Sequence, residues 1–167
     1  MRTAADRFRH VEDRLATLVE YYLRDGLRDG GAVAPTVIAR DMGCAAVRAL
    51  VRNSDGLKAA GLSPYVLLLT MPDAHHRIGA DQLSLRIVPR IMSTMLREEM
   101  LVGSSVWFGH APMPYTGQRG SDFTLMKLNK QELRGFSLVF EGLWNTASDL
   151  GPVMRALPAP KANSLAA

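Results

Sequence analysis

Cysteine is nearly absent from this sequence: Cys44 stands alone among 167 residues. A lone thiol excludes an internal disulfide framework and a thiolate zinc cluster. Aromatic residues are also few, at 7%, and charged residues are modest at 22%, while apolar residues reach 47%. That balance belongs to a globular chain with a core rather than to a disordered one. The longest apolar run, "YVLLLTM" at 65–71, falls far short of the ~18–20 residues that cross a bilayer, so no membrane partner is expected. The first thirty residues carry six cations and six anions, which fits neither a signal peptide nor a transit peptide. A cytoplasmic protein follows as the simplest expectation.

Catalytic signatures are missing as well. Ser104 and Ser105 lack a nucleophile-elbow context. Glu98 and Glu99 are neighbours and diverge on a helix, which is poor geometry for paired-carboxylate chemistry. The segment "GQRG" at 117–120 lacks the strand, lysine and helix of a phosphate loop. His75 and His76 are adjacent, and His10 and His110 have no ligand-rich neighbourhood, so no metal is expected. Cys44 at a helix start could have a lowered thiol pKa, but a small packed residue is the plainer role. No cofactor and no enzymatic activity are expected.

What is present begins with charge. The formal net charge is +4 with a pI near 9.6. The cationic excess lies in 31–60, four against two, and in 101–167, six against four. This allows a modest basic patch rather than a long phosphate-tracking surface.

Hydrophobic periodicity then orders the chain. Phe8, Val11, Leu15, Leu18 and Tyr22 recur at helical spacing and predict an amphipathic helix over 5–24. "DGLRDGGAVA" (25–34) closes it, and Pro35 suits the first turn of a second helix. "YVLLLTM" is a strand or a core helix segment. Leu83, Ile87, Ile91 and Met95, four apart, predict a long helical stretch over 80–101, kinked or divided at Pro89. "SSVWFG" (104–109) reads as a short strand, and "HAPMPYTGQRGSD" (110–122) as a loop. Trp107, Phe108, Met113 and Tyr115 across 106–122 either cover the core or form a partner-binding loop. Asn129 and Glu132 have capping spacing for a helix over 130–149, and a hairpin over 123–141 is the competing arrangement. The expected fold is mainly α, a multi-helix domain containing a helix-turn-helix, with a few short strands in the C-terminal half. Its parts are 1–64, a mainly helical 65–157 in the same or a second small domain, and a disordered tail at 158–167.

The functional reading rests on "PTVIARDMGCAAVRALVRNSDG" at 35–56. A short helix, a turn at Gly43 and a second helix would compose a helix-turn-helix. Ala45, Arg48, Ala49, Arg52 and Asn53 would point outward. Arg48 and Arg52, one turn apart, suit bidentate contact with guanine, and Asn53 could add a contact. Arg40 and Lys58 would meet phosphates, which set register without reading sequence. An ordinary helical corner with solvated arginines is the competing account.

The strings "LVRNSDG" and "GLSP" place Leu50, Arg52, Gly56, Gly61 and Pro64 in a pattern that resembles the C subunit of the flagellar master regulators and related activators of conjugative elements. "GADQLSLRIVPRI" is similar to the family's downstream helix. The family's four-cysteine zinc site has no counterpart here. The resemblance implies a transcriptional activator working in a homo- or hetero-oligomeric complex. The expected function is therefore a sequence-specific DNA-binding regulator. The alternative is a non-enzymatic interaction or assembly factor, for secretion, conjugation or a virion, without DNA contact.

Overall fold

The computed structural model describes residues 4–28, 32–72, 80–109 and 124–151. Their framework is a seven-stranded mixed sheet in the order β6-β5-β4-β1-β2-β3-β7. The strands are β1 (Thr36–Ala39), β2 (Tyr65–Leu68), β3 (Ser84–Ile87), β4 (Glu99–Val102), β5 (Ser105–Phe108), β6 (Thr124–Lys127) and β7 (Ser148–Asp149). β1, β2 and β3 run parallel, and every other pairing is antiparallel. The helices are α1 (Ala4–Arg24), α2 (Ala45–Arg52), α3 (Ser54–Ala59), α4 (Arg90–Ser93) and α5 (Lys130–Thr146). The fold is mixed α/β, which corrects the expectation of a mainly α domain.

The decisive correction falls at 36–39. Thr36, Val37 and Ile38 are β-branched and favour the pleated backbone over a helix. They form the central strand, paired on one side with β2 and on the other with β4. Four residues carry no period, so burial on both faces decides the conformation. Val37, Ile38 and Ala39 are all buried. The segment 35–42 that leads into Gly43 contains this strand and no helix, so the expected helix-turn-helix is not formed.

The helix expected over 80–101 is likewise replaced by β3, the single turn α4 and β4. Pro89 caps α4 in extended geometry, as its missing N–H and fixed φ favour. The four-residue spacing was coincidental: Leu83 is buried, whereas Ile91 and Met95 are 83% and 85% exposed. α1 does form where its stripe predicts, and α5 begins at the capped Asn129. The tail at 158–167 and most of the 106–122 loop lie outside the described residues, as do His75, His76 and His110.

Alternation along the strands gives the sheet two apolar faces. On one, Val37, Ala39, Val66, Leu68, Leu85, Met100, Val102 and Trp107 pack with the inner residues of α1, α2 and α3, Leu15, Val19, Val47, Leu50 and Leu57 among them. On the other, Ile38 and Leu67 meet Phe140, Leu143 and Ala147 of α5 and its C-cap. At the tight turn between β4 and β5, Gly103 has φ +58, a conformation costly for any residue with a Cβ.

Candidate functional site

Each residue expected to touch DNA can now be placed. α2 lies along α1 and the sheet, with Ala45, Ala46, Val47, Ala49 and Leu50 buried. Ala45 and Ala49, expected on an open face, are therefore inside. Arg48 and Arg52 do project outward, but toward the acidic side of α1. Arg48 Nε is 2.9 Å from Glu12 Oε2, without hydrogen-bond alignment for that oxygen, and its guanidinium lies 5.5 Å from the Phe8 ring centroid. Arg52 Nη1 donates to Asp13 Oδ1 at 2.7 Å. The hydrogen bond and charge of Asp13 raise the Arg52 pKa above its ordinary value. The Asn53 amide donates to the carbonyls of Ala16 and Ala49 at 3.2 and 3.0 Å, which ties α2 to α1. Three of the five residues are thus brought together, as a clasp between two helices.

Arg40 and Lys58 stand apart from that clasp. Arg40 follows β1, its Nε 3.9 Å from Glu98 Oε1, and its carbonyl accepts from the Thr70 N–H at 3.0 Å and hydroxyl at 2.7 Å. Lys58 is exposed in the last turn of α3 and forms no ion pair with a described residue.

The sheet's direction creates a second locality that spacing did not reveal. β1, β2, β3 and β5 all end on the same edge, where ligands of open α/β sheets gather. A cleft of about 450 Å³ opens there, walled by Leu69, Thr70 and Met71 after β2, by Ile87 to Arg90 after β3, and by Ser93 and Ser148. Its lining residues are apolar apart from Thr70, Arg90, Ser93 and Ser148.

Cys44 sits at the start of α2 but is buried, and that burial pushes its thiol up to about 12. The lowered pKa of an accessible helix-terminal thiol is not realised. Glu99 is also raised, by burial first, with Arg97 opposing. Among the described residues, no three His, Cys, Asp or Glu side chains cluster at metal-ligand spacing, and no helix is long and apolar enough to cross a membrane.

The sequence expectations also passed over the outer side of α5. Leu138 and Val139 are 59% and 64% exposed there, between Gly135 and Gly142. On the β6 edge, Leu125 and Met126 are exposed too. The α5 pair could have been found by asking which apolar residues the helix stripe leaves out.

No family model matches the chain, and none of the curated proteins does. Among solved structures, the chain is similar to TrmBL2, described as an archaeal chromatin protein with a novel mode of DNA binding. The match has 16% identity and a TM-score of 0.42, covering 79% of this chain and 51% of that one. The chain spans about half the length of that structure. So loose a superposition says nothing of what this chain binds.

Proposed function

We propose that the chain is a non-enzymatic regulatory module of a DNA-bound protein complex, supplying protein–protein contacts and diffuse phosphate contacts while a partner reads the bases. One observation carries this reading: the cations of α2 are engaged with Glu12 and Asp13 on α1, and the helix is packed on its other sides. A recognition helix must enter a major groove about 12 Å wide with its base-reading side chains free. α2 does not stand clear of its neighbours. Arg40, Lys58, Lys127 and Lys130 remain exposed, and with the net charge of +4 they suit phosphates, which confer affinity without sequence preference. The apolar residues left open on α5 and β6 suit a protein partner. Transcriptional regulation then operates through an oligomeric assembly.

Fluorescence anisotropy on two unrelated duplexes of equal length tests this. The expected result is similar affinity for both, falling steeply with salt, and no change in relative preference on Arg48→Ala. A strong preference for one duplex that Arg48→Ala removes would restore base reading by α2. Absence of any salt-dependent binding would leave the assembly factor without DNA contact.

The cleft at the carboxyl edge favours a second reading, a module that responds to a small ligand. Its volume is within the ~300–1,000 Å³ of ligand pockets, and Arg90 over apolar walls suits a small carboxylate with an apolar body. A thermal-shift screen of such acids should raise the melting temperature of the native chain and not of Arg90→Ala. Equal shifts in the two proteins would dismiss it.

A further inference from the structure

α5 has two faces of unlike use. Phe136, Phe140, Leu143 and Trp144 turn toward the sheet side, where Phe140 and Leu143 are buried. Successive residues of a helix are separated by about 100°, so Gln131, Gly135, Leu138, Gly142 and Asn145, spaced four and three, form one stripe on the opposite side. All five are exposed. Each glycine inside an exposed helix costs about 1 kcal/mol relative to alanine. The described chain supplies no reason for that cost, because a Cβ added at Gly135 or Gly142 would meet nothing within 4 Å.

Charge supplies the independent observation. Arg134 and Glu141 are seven residues apart on one flank of the stripe, both exposed, and neither forms an ion pair with a described residue. Within one helix they are too far apart to pair. A two-fold axis between Leu138 and Val139, with the helices antiparallel, sets Gly135 of one copy opposite Gly142 of the other. The same operation brings Arg134 of each copy beside Glu141 of its mate, since residues on one flank stay on one side of such a pair. Val139 meets Val139 of the second copy on the other flank, and the helix dipoles oppose. A surface complementary to itself under a two-fold is an isologous interface.

We infer that α5 is a self-docking helix, and that the chain forms an antiparallel two-fold dimer through Gly135, Leu138, Val139 and Gly142, clamped by Arg134–Glu141 pairs. The inference rests on the reading of this chain as part of an oligomeric complex, but its test involves no DNA and stands or falls apart from phosphate binding.

Sedimentation of the full chain across the micromolar range should show a monomer–dimer equilibrium. Leu138→Asp should weaken it about tenfold or more, the equivalent of some 1.4 kcal/mol, with the circular dichroism spectrum unchanged. The charges give a test that folding defects cannot imitate. Arg134→Glu makes the flank wholly acidic and Glu141→Arg makes it wholly basic, so each variant alone should dimerise more weakly. Mixed together, the two should form a heterodimer, and the double variant should dimerise like the native chain. A native chain that stays monomeric across that range overturns the inference. So does a dimer indifferent to the single charge changes, or a mixture that fails to associate.

Discussion

At the residue scale, the most consequential facts concern groups whose surroundings differ from what their neighbours in sequence suggest. Cys44 opens a helix, yet its thiol is held neutral by burial, up to about 12 from an ordinary 9.0. The fold binds the protonated form, so its contribution is full below pH 9 and is lost as pH rises toward 12. Cys44→Ala should therefore flatten the alkaline fall of stability, measured as denaturation midpoints between pH 8 and 11 on both proteins at about one-unit steps. An identical alkaline slope in the two would show the thiol to be reachable by water. Gly103 illustrates the opposite kind of constraint. Its φ of +58 and the Tyr22 ring carbons 3.1 Å from a would-be Cβ both act against a side chain. Tyr22 cannot readily retreat, since its hydroxyl donates to the Val33 carbonyl at 2.8 Å and accepts from the Val33 N–H at 2.9 Å. Gly103→Ala should cost at least about 1–2 kcal/mol in urea unfolding. A cost within a few tenths would mean that the hairpin turn relaxes freely.

At the scale of elements, α5 offers the cleanest prediction because its start carries a reciprocal capping box. The Asn129 side chain accepts from the N–H groups of Gln131 and Glu132 at 2.9 and 3.0 Å, and the Glu132 carboxylate accepts from the Asn129 N–H at 2.8 Å. Asn129→Ala should lower stability by about 1 kcal/mol. Glu132→Gln, which keeps the reciprocal acceptor, should lower it much less, and a reversed order in denaturant titrations would refute the role of the box. This helix was legible because its signals are local: a cap, a glutamate three residues on, and an apolar stripe. α1 was legible for the same reason. The strands β1, β3 and β4 were not, because four residues such as Thr36–Ala39 or Ser84–Ile87 show no period of their own. Their conformation depends on partners that can lie far off in sequence: Thr36 pairs with Tyr65, 29 positions on, and with Leu101, 65 positions on. The site suffered similarly. Arg48 and Arg52 have the spacing of base-reading residues, but Glu12 and Asp13, which occupy them, belong to a helix that spacing alone cannot place beside α2.

At the scale of the whole molecule, one sheet takes strands from both parts of the chain, 1–64 and 65–157, which the sequence left in the same domain or in two. β1 is the centre of that sheet, and both of its neighbours, β2 and β4, come from beyond residue 64. A fragment of residues 1–64 would keep α1, α2 and α3 but expose a strand whose ladder groups have no partner on either side, and unpaired buried backbone is costly. Leu15, Val19, Val47 and Leu50 would also lose Val66, Leu68, Met100 and Val102 from the cluster they share. The complementary fragment would lack its central strand, leaving β2 and β4 with a gap between them. Neither piece therefore has a core of its own, and the intact chain should unfold in a single transition, with circular dichroism and Trp fluorescence coinciding. The fragment 1–64 should show no cooperative melt by itself and should gain one on mixing with residues 65–167, as β1 inserts between its neighbours. A fragment 1–64 that melts cooperatively alone would establish an autonomous helical domain. It would also return α2 to solvent as an independent unit, reopening the question of whether Arg48 and Arg52 could be released to a duplex.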